Sequence, residues 1–163
     1  MTKITDQECH IGIDPGKSGG IALITNILDS TTKMPSTEAD VSNWLWTAKE
    51  FTSTKFGGLF ASIEKVHSMP GQGVRSMFTF GRNYGFLRGC LISLRIPFEE
   101  VMPRTWQKGL GIPVRKTNET KTQFKNRLKA RAQQLFPEKT LTLATCDAVL
   151  IAEYSRRKRK GEL

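Results

Sequence analysis

Three carboxylates occupy positions that solubility alone does not explain. Asp14 closes a short β-type run, residues 9–14 (CHIGID), and is followed at once by Pro15-Gly16. With a period of two, Ile11 and Ile13 share one face of that run and Gly12 and Asp14 the other. Asp-Pro-Gly is an ordinary turn signal, but here it opens Lys17-Ser18-Gly19-Gly20, which leaves backbone space beside the acid. Glu64 interrupts the apolar run 59–66 near its carboxyl end. A buried carboxylate needs a cation or strong donors, and Lys65 points to the opposite face of a regular strand. Asp147 precedes Leu150, Ile151 and Tyr154 by three, four and seven residues, which sets it on the apolar stripe of a helix. An acid at a helix start also complements the dipole. Two acids at strand ends and one at a helix start can converge above a sheet. Hard oxygen ligands suit Mg2+ or Mn2+, and a pair of such ions activates water and stabilises a leaving oxygen in phosphodiester cleavage. No His cluster, nucleophile elbow, Walker loop or dinucleotide fingerprint competes. Gly71-Gln72-Gly73 is too short to be a phosphate loop.

The elements that must position these groups follow from periodicity. Residues 9–14 and 19–27 (GGIALITNI) are β-type runs separated only by 15–18, which makes them a hairpin. Residues 30–34 read as a weak third strand. Residues 37–51 start with acids and carry Val41, Trp44, Leu45, Ala48 and Phe51 at helical spacing. A strand over 59–66 and a Gly/Pro loop over 68–73 follow. Residues 74–94 place Met77, Phe80, Tyr84, Leu87 and Leu91 three or four apart, which predicts a helix despite Gly81, Gly85 and Gly89. Those glycines line one stripe, suited either to packing on the sheet or to a dimer contact. Then come a strand over 97–102, a loop over 109–119, a basic amphipathic helix over 121–136 and a last helix over 144–160. That order predicts an α/β fold: a mixed five-stranded sheet, three antiparallel strands then parallel ones, with helices on both faces.

The 163 residues fit one domain, residues 1–163, with a flexible start over 1–8 and a basic tail over 156–163. The net charge of +10 is uneven: residues 1–74 hold 6 basic and 8 acidic side chains, residues 75–163 hold 19 and 7. A basic half with scattered aromatics points to a polyanion. No apolar stretch approaches the roughly 20 residues that span a bilayer. Residues 1–7 carry no signal pattern, and three distant cysteines without a C-x-x-C pair read as reduced thiols. The expected setting is cytoplasmic, in a bacterial or phage-infected cell, with no membrane and no small-molecule cofactor.

With these residues in view, the chain resembles the RuvC family of Holliday junction resolvases, especially its phage and organellar branches. The likeness runs from Ile11 to Tyr154. It is carried by Gly12-Ile13-Asp14-Pro15-Gly16 with Ser18-Gly19-Gly20-Ile21-Ala22, by Ile63-Glu64-Lys65-Val66, and by residues 81–89 (GRNYGFLRG). Residues 101–106 (VMPRTW), Leu135-Phe136-Pro137 and residues 147–154 (DAVLIAEY) complete it. Six such stretches in order are specific. The resemblance implies an RNase H-like fold and a homodimer, each subunit nicking one strand of a four-way DNA junction. It implies Asp14, Glu64 and Asp147 as ligands of Mg2+ (Mn2+ as substitute, two ions per site), and Lys125 as a basic group near the scissile phosphate.

The resemblance also assigns DNA contacts. The loop after the Glu64 strand meets the junction centre in this family, which makes Met69 a candidate wedge, with Gln72 and Arg75 beside it. Phe78 and Phe80 either stack on bases or pack in the core, and packing is the expectation. Arg82, Lys116, Lys121, Lys129 and the basic run 156–160 are candidates for phosphates. Lys121, Lys125 and Lys129 form one ridge. One departure stands out. The family places an Asp or His three or four residues before the last Asp, where this chain has Ala144 and Leu143. Either three acids suffice, or His67 or Glu153 substitutes, although Glu153 lies about 240° around the helix from Asp147. The rival reading is a branched-DNA binding protein whose nuclease site has decayed. An actin-like nucleotide fold, suggested by the Asp-Pro-Gly turn, fails on size and on the lack of a second phosphate loop.

Overall fold

The sheet is built outward from β1 (Thr5–Asp14). In the computed structural model, which describes residues 5–66 and 73–163, β1 pairs antiparallel with β2 (Gly20–Ile24), and β2 antiparallel with β3 (Leu28–Lys33). On its other side β1 pairs parallel with β4 (Phe56–Glu64), and β4 parallel with β5 (Phe98–Val101). The order among the described residues is β3-β2-β1-β4-β5. The hairpin, the mixed sheet and the sequence of parallel strands are as expected. β1 starts at Thr5, so residues 5–8 of the stretch expected to be flexible belong to a strand; residues 1–4 lie outside the described residues.

The period of two sorts β1 between two cores. Cys9, Ile11 and Ile13 face α1 (Glu38–Lys55) and α2 (Val74–Ser93), together with Ala61 and Ile63 of β4. The opposite face meets α5 (Cys146–Arg159), which packs with Trp106 of α3 (Pro103–Gly109) and with Leu128 and Ala132 of α4 (Lys121–Leu135). Ala22 and Ile24 of β2 join that second core while Ile21 and Leu23 join the first, so β2 is buried on both faces. α1 starts at a Thr37 cap, whose hydroxyl accepts from the Asp40 amide at 3.1 Å. α4 starts at a capping box, Thr120 with Gln123. Each removes amide donors left unpaired by a helix start.

After β5, residues 103–108, to which periodicity assigned no element, form the short helix α3 together with Gly109, entered through Pro103 at its first position, a placement proline favours. Gly81, Gly85 and Gly89 of α2 do not pack on the sheet: a Cβ at any of them would meet nothing within 4 Å among the described residues. Residues 156–159 of the basic tail belong to α5, within the last helix expected over 144–160. Arg156 and Arg157 grip the buried Glu153, Lys158 pairs with Glu99, and Arg159 pairs with Glu8 and lies over the Phe60 ring at 4.1 Å. Cys9, Cys90 and Cys146 are free and buried. No helix among the described residues is long and apolar enough to cross a membrane.

Candidate active site

Parallel pairing of β1 and β4 sets Ile13 beside Ile63. The next residues, Asp14 and Glu64, therefore end adjacent strands on the face that α5 covers. α5 reaches them because β1 gives way beneath it. A Cβ on Gly12 would run into the Ala148 carbonyl and the Ala152 amide, and would sit 2.9 Å from the Ala152 Cβ. Farther along the same contact, His10 meets Ser155 (Nδ1 to Oγ, 3.3 Å) and Arg159 Nη2 donates to Glu8 at 2.9 Å. This ladder fixes the slide of α5 on β1 and brings Asp147, in the first turn of α5, to Asp14. Gly19 keeps the corner open, since a Cβ there would strike the Asp14 carbonyl and come within 3.0 Å of its carboxyl carbon.

Lys125, projecting from α4, bonds to Asp147 and lies 3.9 Å from Asp14. Burial works against its ammonium, but the charges of Asp147 and Asp14 outweigh this and raise its pKa. The acids respond the other way. Burial, then the neighbouring Asp147, pushes Asp14 up to about 6 despite Lys125. Burial, then Asp14, pushes Glu64 up to about 7, and a hydrogen bond from Trp106 pulls it down in part. That bond runs from the indole Nε1 to Glu64 Oε2 at 2.8 Å, and the Trp106 ring is fully buried. Sequence reasoning had Trp106 in a matched stretch but gave it no role. Its signal was a Trp placed just past an edge strand, where a buried N–H must find an acceptor.

The donor set fits a hard divalent cation. It consists of carboxylates, two of them holding protons tightly because they are buried beside one another, with the Lys125 ammonium only partly offsetting this. The side chains are not drawn into a ready cage, since no three His, Cys, Asp or Glu among the described residues are grouped as metal ligands. Lys125 engages Asp147 instead. Glu153 is no fourth ligand: its buried carboxylate is taken by Arg156 (2.7 Å) and Arg157 (2.6 Å). Burial alone would raise its pKa, and the two guanidiniums reverse that and hold it low. Leu143 is exposed and offers no donor, nor does Ala144. His67 lies outside the described residues.

No protein-family model matches the chain, and no curated protein matches its sequence. Solved structures match its shape. T. thermophilus RuvC in complex with Holliday junction substrate superposes with a TM-score of 0.66 at 12% identity, over 95% of this chain and 97% of that one. A further Thermus thermophilus RuvC structure gives 0.60 at 14% identity, over 94% and 97%. The yeast mitochondrial Holliday junction resolvase Ydc2 gives 0.51 at 13% identity, over 97% and 81%. This chain has the RuvC fold. The mixed sheet and two-sided helix cover expected from the sequence are that fold, and at such identities the likeness speaks for the fold alone.

On this RuvC fold the remaining described candidates lie on α2, on α4 and in the loop before α4. Arg75 and Phe78 are exposed in the first turns of α2, and Phe78 is 73% exposed, so core packing is not its role. Phe80 is partly buried and lies against Gly16 of the turn that follows Asp14. Arg82 is exposed and stands 3.9 Å from Glu38. Lys121 is exposed on α4 and Lys129 half-buried, so the lysine ridge is uneven, with Lys125 turned into the acids. Lys116 sits in the loop before α4. Arg127 organises that loop, donating to Glu119 at 3.0 and 2.8 Å and to the Pro113 carbonyl at 2.8 Å. Met69 and Gln72 lie outside the described residues.

Proposed function

We propose that the chain is a metal-dependent, structure-selective endodeoxyribonuclease that resolves four-way DNA junctions by paired phosphodiester hydrolysis. The observation that carries this is the convergence of Asp14, Glu64 and Asp147 with Lys125 on a fold that, in its T. thermophilus relative, was captured with Holliday junction substrate. Asp14, Glu64 and Asp147 would hold Mg2+ or Mn2+, two ions per site. Bound there, the metal activates water and stabilises the leaving oxygen. Trp106 keeps the Glu64 carboxylate oriented and partly offsets the burial that protonates it. Lys125 holds the acids together before substrate arrives and offers its ammonium to the scissile phosphate afterwards.

Symmetric nicks need two such sites, which a homodimer supplies. The open stripe of Gly81, Gly85 and Gly89, continued by the 63% exposed Ile92, is the face of α2 that a second copy would approach. Met69, Gln72, Arg75 and Phe78 would meet the junction centre, and Arg82, Lys116, Lys121 and Lys129 its phosphates.

A cleavage assay on an immobile four-way junction tests the reading, with Mg2+ and with Mn2+, beside linear duplex. Wild-type protein should place symmetric paired nicks in the junction alone. Asp14→Asn should abolish cleavage at unchanged junction affinity. Cleavage by Asp14→Asn across a metal titration would remove the assignment. One observation favours a binding protein without cleavage: neither Leu143 nor Ala144 supplies a donor to the corner. Tight junction binding with no nicks in either metal would establish that reading, and Ala144→Asp would then show whether the missing donor is the cause.

A further inference from the structure

Beyond the carboxylate corner, on the opposite face of the sheet, lies a cleft of about 450 Å³. It is lined by the turn that follows Asp14, by residues 34–38 with Val41 at the start of α1, and by α2. Among the described residues its floor is apolar, with Met34, Val41 and Phe86, and its rim is polar, with Lys17, Glu38, Arg82 and Asn83. Gly16 and Lys17 belong at once to this cleft and to the turn that follows Asp14, so whatever fills it lies one turn of chain away from the acids. Phe80, against Gly16, stands where the turn meets α2.

We propose that this cleft takes one unpaired nucleotide of the strand being cut, and that Asn83 reads its base. This rests on the junction-nuclease reading and extends it to sequence preference. The volume suits a single small ligand and excludes a duplex. An apolar floor with a polar rim that carries the exposed Lys17 is the pairing a nucleotide needs, a flat base against side chains and a phosphate near an ammonium group. An amide is the side chain that can offer a donor and an acceptor together to a base edge. At a branch point the cost of extruding a nucleotide is least, because pairing there is already broken. Lys17 is exposed and is the cation left for a phosphate, while Arg82 stands 3.9 Å from Glu38, which lines the same cleft and would have to release it.

The test uses four-way junctions carrying 2-aminopurine, one position at a time, at each nucleotide flanking the branch point. Fluorescence is normalised to the bound fraction and read with wild-type protein, with cleavage-dead Asp14→Asn, and with Asn83→Leu. Asn83→Ala serves as the milder variant if the leucine lowers the melting temperature. Wild type and Asp14→Asn should brighten one position, and both Asn83 variants should lose that brightening. In cleavage, the discrimination between bases at that nucleotide should fall by roughly tenfold in the Asn83 variants. Brightening and base preference both retained by the Asn83 variants would overturn the proposal, as would bound junction with no position brightened. Brightening lost in the Asn83 variants but no cleavage by wild type in any metal would sustain the cleft and sink the nuclease reading. No junction binding would sink both.

Discussion

Asp14 and Glu64 end neighbouring parallel strands, so their carboxylates share a buried corner that neither can leave. Each holds its proton more tightly than in an unfolded chain, to about 6 and about 7. A folded pKa raised in this way contributes stability that is complete below the ordinary values of 3.8 and 4.5 and is lost progressively as pH climbs from there through about 6 and about 7. Metal-free Glu64→Gln should therefore be more stable than metal-free wild type at pH 8, by on the order of 2 kcal/mol, and the gap should shrink at pH 5.5. Thermal melts in chelator check this, and taking the difference between the two proteins cancels His10, whose pKa burial lowers to about 4 in both. Equal melting temperatures at pH 8 would mean that the acids do not strain the fold. Trp106 acts on the same group. Trp106→Phe keeps the bulk in the core but removes the 2.8 Å donor to Glu64. It should lower kcat about tenfold, the worth of a hydrogen bond to a charged group, and move the acidic limb of the pH–rate profile upward, because the bond that lowered the Glu64 pKa is gone. A profile that stays in place would assign Trp106 to packing alone.

At the scale of elements, the site depends on where α5 rides on β1. Asp147 belongs to the helix and Asp14 to the strand, so their separation is set by the closeness of the two backbones at Gly12. Gly12→Ala places a methyl against the Ala148 carbonyl and the Ala152 amide. It should cost about 2–3 kcal/mol by overpacking, and cleavage should fall further than the folded fraction explains, since Asp147 moves with α5. Denaturant melts beside single-turnover rates separate the two effects, and wild-type stability would mean that α5 is not seated there. This dependence also marks how far the sequence could be read. Strands and long helices were legible because alternation and the 3.6 period repeat over many residues, and Asp14, Glu64 and Asp147 were legible because each breaks such a pattern. α3 was not, since seven residues carry no period. Trp106 on Glu64 was not, because its meaning depends on β5 bringing together residues 42 positions apart. The ladder through His10 and Ser155 spans 145 positions, and no local signal encodes it.

For the whole molecule, the charge of +10 divides into cations spent inside the fold and cations left for a partner. Arg156, Arg157, Lys158 and Arg159 were expected to serve a polyanion, yet each is paired with an acid of the chain itself, Glu153, Glu99 or Glu8. A charge run looks the same in sequence whether its counter-ions are phosphates or carboxylates brought from a distant strand. Lys116 and Lys121 are exposed and flank the turn into α4, on the approach to Lys125. The two groups should part in a salt titration of junction binding. Lys116→Ala with Lys121→Ala should make the slope of log K against log salt shallower by about 1–2, since each phosphate contact on duplex contributes roughly 0.9, and should leave the melting temperature alone. Arg156→Ala with Arg157→Ala should leave the slope unchanged and destabilise the protein by about 3 kcal/mol, because Glu153, with a side chain only 2% exposed, would remain buried without a partner. The opposite result, a shallower slope with an unchanged melting temperature in the arginine pair, would return the tail to the DNA and leave the Glu153 cluster without a structural purpose.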